Sequence, residues 1–176
     1  MATKWRRIAP EAARSHPLYG VRGWLFALVA MMTAIGPLLA MSRIHAGFTV
    51  TERHFEALAP MEAWTQAKFA AWSALAILEL LSVAGGVLLM LGTGTGAVRL
   101  AAGAIWISGP VASVVLNLLI PAWISGNLDF VTDYFLSGFT GPLVASVAVA
   151  AGWTAYLARS RRVRVTYSHE IADSEH

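Results

Sequence analysis

Glu79 is the single ionisable side chain in the middle of a long apolar run, 69–91. An ionised group at a bilayer centre costs roughly 2.5–3.5 kcal/mol on insertion scales. A carboxyl there must be protonated, hydrogen-bonded or beside water, and the neutral acid is its expected resting form. Three roles suit it: polar glue between helices, the handling of a proton or cation, or contact with a charge on a partner subunit. No Lys, Arg or His stands at the centre of any apolar run, so one chain offers no intramembrane ion pair. At about 1.5 Å per residue, Thr33, Ser113 and Ser146 come to a similar depth, with Asn117 nearer the outer surface. Glu79 is therefore expected to hydrogen-bond to these hydroxyls, or to carbonyls released by Pro37 or Pro110.

The other groupings carry less chemistry. His45, Glu52, His54 and Glu56 cluster in one connecting segment, and Glu52 and Glu56 stand at i, i+4. They lack zinc-site spacing and read as solvated surface. Asp129 and Asp133 share a helical face, but two carboxylates are too few for a calcium cage and have no cleft for acid–base work. Gly92-Thr93-Gly94-Thr95-Gly96 resembles a phosphate cradle only superficially. A dinucleotide fingerprint follows a strand in a βαβ unit, whereas this run follows an apolar helix and reads as a tight turn. With no cysteine, disulfides, thiolate metal sites, iron–sulfur clusters and cysteine nucleophiles are excluded. The histidines fall on both sides of the apolar runs, and span serines such as Ser113 have no base at their depth. No catalytic, cofactor-binding or metal residue is expected, and the chain reads as non-enzymatic.

The elements that must position Glu79 are plain from composition. Of 176 residues, 57% are hydrophobic and 13% charged, against about 25% charged in soluble domains. Mean hydropathy is +0.60. A spanning helix needs about 20 apolar residues, and four runs qualify: 23–42, 69–91, 100–120 and 138–158. The fold class is thus all-α, a polytopic membrane protein with a four-transmembrane-helix bundle. A cleaved signal peptide is the rival reading of the first run, with Ala40 and Ser42 imitating a cleavage site. Its apolar stretch, however, exceeds the 7–15 residues of a signal core. Ten of the 13 Lys and Arg residues lie in 1–22, 92–99 and the tail after the fourth run, and three lie in the other loops. Positive-inside bias places both termini in the cytoplasm. Because the positive charges sit at span ends, they argue for topology and against a nucleic-acid partner.

Trp24, Phe69, Trp72, Trp123, Phe139, Trp153 and Tyr156 fall near the span ends, where amphipathic rings favour the headgroup level. Trp106 lies deeper and suits packing. The chain divides into a cytoplasmic segment 1–22, the membrane domain 23–158, and a tail 159–176 that is basic, then acidic and frayed. Arg159, Arg161, Arg162 and Arg164 are candidates for contact with lipid headgroups. The outer connection 43–68 is the largest feature outside the spans, with one or two helical turns over 51–58 ended by Pro60. The last outer connection holds an amphipathic stretch, 127–136, suited to the bilayer surface.

Gly-Pro recurs at 36–37, 109–110 and 141–142. Proline within a helix removes a backbone hydrogen bond and bends the axis, so Pro37, Pro110 and Pro142 are candidate kinks that face other helices. Small residues four apart favour close helix contact. They occur at Ser82/Gly86, Gly109/Ser113, Gly141/Ala145 and Ala148/Gly152. The fourth run, richest in Ala and Gly, is expected to be the most enclosed helix or else a dimer face.

Several short motifs carry a resemblance. Gly20-Val21-Arg22-Gly23-Trp24-Leu25 opens the first run, Phe55-Glu56-Ala57-Leu58 lies in the outer connection, and Glu79-Leu80 sits mid-span. Tyr156-Leu157, Ser160-Arg161-Arg162-Val163-Arg164 and Thr166-Tyr167 close the chain. Over residues 18–167 the chain resembles the bacterial YdgK-like family, a domain-of-unknown-function group of small four-span inner-membrane proteins. Members usually carry an Asn shortly after the mid-span Glu-Leu, where this chain has Ser82, Val83 and Ala84. The resemblance implies a bacterial cytoplasmic membrane and no established reaction. The expected function is that of an accessory or scaffold subunit, with the lipid bilayer, a membrane-protein partner or a second copy as its contacts. The alternative is a small proton-coupled transporter or ion pathway in which Glu79 titrates.

Overall fold

The computed structural model describes residues 5–92, 94–125, 133 and 139–172. Four helices dominate it: Trp24–His54, Glu62–Leu91, Thr95–Trp123 and Thr140–Arg159, each long and apolar enough to cross a membrane. The first two contain 31 and 30 residues, or about 45 Å at 1.5 Å per residue, and so exceed a hydrocarbon core of about 30 Å. The connection 43–68 is consequently mostly helix. The first helix runs on to His54, Phe55 leaves it at φ −133°, and the second helix starts at Glu62 after a single turn, Glu56–Leu58. Beyond the apolar runs the two helices still pair. Phe48 meets Trp64 edge-on at 5.6 Å, and Glu52 Oε1 accepts from Trp64 Nε1 at 2.8 Å and Lys68 Nζ at 2.6 Å.

The second helix is the centre of the bundle. Its buried residues, Ala67, Ala71, Leu75, Leu78, Ser82, Gly85, Gly86 and Leu89, recur every three or four positions and form one face. That face meets the first helix on one side and the third on the other. A Cβ built on Gly85 would stand 2.8 Å from Ala104 Cβ of the third helix and 2.9 Å from Met32 Cε of the first. Ala101 Cα of the third helix would lie 3.4 Å away as well, so glycine here lets the second and third helices approach closely, while the first helix reaches the position through the end of the Met32 side chain.

The fourth helix packs on the third and is the least enclosed of the four, with 11% of its apolar window buried against 33% for the second. Its wealth of Ala and Gly therefore does not mark the centre of the bundle. Ala150 and Leu157 are its buried residues. Gly141, Ala145, Ala148 and Gly152 are exposed, because small side chains draw helices together only where a helix faces them. Trp106 of the third helix, the packing residue expected from its depth, donates Nε1–H to Thr154 Oγ1 of the fourth at 3.1 Å.

Both chain ends fold against the same end of the bundle. Trp5–Arg7 pairs antiparallel with Glu170–Ala172. After the fourth helix the chain makes two further turns, over Arg161–Val163 and Arg164–Ser168, that bury Val163, Val165, Thr166 and Tyr167. The described part of the tail is thus ordered structure where sequence suggests fraying; residues 173–176 and the amphipathic stretch 127–136, apart from Asp133, lie outside the described residues. Val163 and Tyr167 join Leu25, Leu28, Leu89, Ala101 and Ala104 in one core, which explains why a basic segment carries apolar residues at this spacing.

Candidate functional site

The polar centre of the bundle begins with Gly36-Pro37. In a regular helix the Gly36 N–H would bond to the Met32 carbonyl. Instead it bonds to Met31, one residue farther back, across a wide turn at Met31–Ile35. A side chain at position 36 would obstruct this turn, since its Cβ would lie 2.6 Å from the Met31 oxygen. Pro37 has no N–H to offer. Met32 is therefore left without a main-chain donor, and an unsatisfied carbonyl in hydrocarbon is costly. Ser82 of the second helix donates its hydroxyl to that oxygen at 3.1 Å. A carbonyl released beside Pro37 is satisfied by the second helix, as the sequence leads one to expect, but the donor is Ser82 and not Glu79.

Glu79 lies one turn from Ser82. It is half-buried and sits seven residues, about two turns, from Gly86, on the flank that faces the first helix. From Leu91 it is about 18 Å along the axis, close to mid-membrane. Glu79 makes no hydrogen bond or ion pair among the described residues.

The hydroxyls expected near it are occupied elsewhere or stand alone. Thr33 returns its hydroxyl to the Val29 carbonyl at 2.8 Å. The Ser113 carbonyl accepts from Asn117 Nδ2 at 2.8 Å, and Ser146 Oγ is buried without a partner. Thr33 does reach the second helix, but through its methyl, which would stand 2.6 Å from a Cβ on Gly86. Thr33 therefore stands at the level of Gly86, about 10 Å along the second helix from Glu79, away from the shared depth expected from sequence, and no hydrogen bond joins Glu79 to Thr33, Ser113 or Ser146. Pro110 is buried inside a second wide turn, Ile107–Val111. Pro142 lies in the first turn of the fourth helix, where an N–H would lack an intrahelical partner in any case.

A second polar cluster, unforeseen from sequence, ties the chain ends to the spans. The Tyr167 hydroxyl donates to the Leu89 carbonyl, one of the last four carbonyls of the second helix, which have no partner within it. Burial, aided by neighbouring Tyr19 and Tyr156, pushes the Tyr167 phenol up to about 12. Gly20 N–H donates to Thr166 Oγ1 at 3.1 Å, with Gly20 at φ +92°, a conformation that favours glycine. Arg162 Nη1 donates to the Leu18 carbonyl at 3.3 Å. Residues quoted from opposite ends of the sequence motifs, Gly20 and Thr166, therefore touch.

The four basic tail residues separate by role. Arg159 and Arg161 are exposed and Arg162 is half-buried. Arg164 stacks its guanidinium 4.5 Å from the Trp5 ring centre and lies 3.7 Å from Glu170. At the opposite end, Glu52 is held by Lys68 and Trp64, His54 Nδ1 lies 2.9 Å from the Val50 carbonyl, and Glu56 falls beyond the helix end. Among the described residues no group of three His, Asp or Glu side chains is arranged to hold a metal ion. Asp133 is exposed, and Asp129 lies outside the described residues.

Residues 18–168 match the family model "Protein of unknown function (DUF2569)". The match covers most of the chain, so the chain belongs to this family. Its limits take in all four spans and the contacts of Leu18, Gly20, Arg162, Thr166 and Tyr167. Neither a curated protein nor a solved structure matches the chain.

Proposed function

We propose that this DUF2569 chain is a non-enzymatic subunit of the bacterial cytoplasmic membrane, with both termini in the cytoplasm, that acts as an accessory or scaffold for another membrane protein or a second copy of itself. One observation carries the reading. Glu79 stands near mid-membrane on the flank of the central helix, half-buried and with no hydrogen bond or ion pair among the described residues. Intramembrane acids nearly always pair or face water, and a helix from a partner would supply the missing donor. The helical pair that continues past the apolar runs, held by Glu52 and Lys68, offers further contact surface.

The experiment is purification in mild detergent of the wild-type chain and of Glu79→Leu. The wild type should carry a stoichiometric membrane partner, or run as a dimer, and Glu79→Leu should lose it while remaining folded. A wild-type chain recovered alone and monomeric refutes the reading. A proton-coupled pathway is the second reading, favoured by the wide turn at Met31–Ile35 on the helix that Glu79's flank faces. It requires pH-dependent flux in proteoliposomes that Glu79→Gln abolishes.

A further inference from the structure

At the end of the bundle that carries both termini, the start of the third helix, the end of the fourth and the tail enclose a cleft of about 240 Å3 whose polar lining is Thr95, Arg99, Arg164, Ser168 and Glu170. Two arginines face one carboxylate, and that carboxylate is shared with a third arginine, Arg7, at 3.9 Å. The lining is therefore net cationic.

Its donors are largely unspent. Arg99 is exposed and has no ion pair or hydrogen bond among the described residues, nor do the Thr95 and Ser168 hydroxyls. Arg164 is held from two sides, by the Trp5 ring and by Glu170, yet its Nε is buried without a partner. That Nε is closed to solvent, so a ligand meets Arg164 through its terminal guanidinium nitrogens, on a half-buried side chain. The third helix begins at the same place, and no side chain caps it, so its first N–H groups add partial positive charge. Thr95 opens one span and Arg159 closes another, which sets the cleft at the water–lipid boundary.

We propose that this cleft binds a phosphate group, gripped by Arg99 and Arg164 with Thr95 and Ser168 donating. A planar guanidinium matches two phosphate oxygens at once, and Glu170 keeps Arg164 oriented while the cleft is empty. The phosphate can come from a phospholipid headgroup or from a soluble phosphate, and the site's position admits both. The inference is independent of the accessory-subunit reading, because it needs only the membrane-crossing bundle and the folded chain ends.

The test uses the full chain in two arms. In the first, protein from nanodiscs of phosphatidylcholine with and without phosphatidic acid is examined by native mass spectrometry for retained lipid. In the second, inorganic phosphate is titrated against detergent-purified protein and thermal unfolding is followed. Retention of one phosphatidic acid that falls about tenfold or more in Arg99→Gln, the loss expected for a charged hydrogen bond, identifies a headgroup site. A phosphate-dependent rise in Tm that disappears in Arg99→Gln identifies a soluble ligand. Retention and Tm response that are absent in the wild type, or unchanged by Arg99→Gln, overturn the proposal. Arg164→Gln should have the same effect, and because it also disturbs the Trp5 stack the exposed Arg99 carries the decision.

Discussion

Substituting Gly86 by alanine tests the contact on which the bundle's centre depends. The added methyl would lie 2.6 Å from Thr33 Cγ2 and 3.0 Å from Met32 Cβ, where carbon atoms rest at about 3.5–4.0 Å. Thr33 is fixed by its hydroxyl bond to Val29 at 2.8 Å, and Met32 Cβ has no rotamer by which to retreat. The first two helices must then part by on the order of 1 Å, which also stretches the Ser82–Met32 bond. Overpacking of this kind costs about 1–3 kcal/mol, offset by up to about 1 kcal/mol from alanine's better helix propensity. The net loss should be about 1–2 kcal/mol, a factor of roughly 5–30 in the folded-to-unfolded ratio. Gly103→Ala is the control, since a Cβ there meets open space and should be neutral or mildly stabilising. Unfolding by sodium dodecyl sulfate in mixed micelles, followed by tryptophan fluorescence, reads both variants. Thr33→Ser in the Gly86→Ala background removes the nearest methyl, keeps the hydroxyl and should restore part of the loss. If Gly86→Ala unfolds at the same point as Gly103→Ala, the first and second helices do not meet as described.

Ser82→Ala should cost about 0.6 kcal/mol and at most about 1.7 kcal/mol, the average and the maximum for hydrogen bonds between membrane helices, and a null effect in the same titration would mean that the Met32 carbonyl finds another donor. Tyr167→Phe should destabilise by about 1 kcal/mol at neutral pH through loss of the bond to Leu89. The phenol is raised to about 12 from an ordinary value near 10, so the folded state favours its neutral form. Its contribution is complete below about pH 10, declines as pH rises toward 12 and is lost above. Thermal unfolding between pH 8 and 12 should show this decline in the wild type, and a Tyr167→Phe profile of equal slope would show that Tyr167 is not its source.

The spans were legible because hydrocarbon imposes a length and a composition that a single sequence displays directly. The apolar run 69–91 lies inside a helix that begins at Glu62, and the run 23–42 lies, but for the capping Gly23, inside one that begins at Trp24. What continued past them was not legible. Residues 43–54 are polar enough to end an apolar run yet have no strong breaker before Pro60, so hydropathy stops at Ser42 while the helix reaches His54. The folded chain ends were hidden for a different reason. Trp5, Arg7, Arg164 and Glu170 meet across more than 150 positions of sequence, and nothing local announces the pairing. The readable hint was the spacing of Val163, Val165 and Tyr167 within a basic tail, since a segment serving only as a charged anchor has no need of buried apolar residues. The cationic cleft was missed with it, because Arg99 and Arg164 belong to different segments and become neighbours only once the tail folds.

The Gly-Pro pairs show that a proline's effect depends on its register more than on its neighbour. Gly36-Pro37 follows the wide turn at Met31–Ile35, and Ile120-Pro121 follows another, Val115–Leu119, without a glycine. In both, the residue before proline bonds five positions back and proline offers no N–H, so one carbonyl, Met32 or Leu116, loses its main-chain donor. Pro142, in the first turn of its helix, releases nothing. Pro37 and Pro121 therefore each leave an acceptor about one turn back along their helix, and for Pro37 a neighbouring helix answers it. The answering side chain is Ser82. Because Ser82 already satisfies the Met32 carbonyl, the carboxyl of Glu79 is not required to do so. Among the described residues Glu79 has no hydrogen bond or ion pair, and on the accessory-subunit reading proposed above the donor it lacks comes from a partner helix.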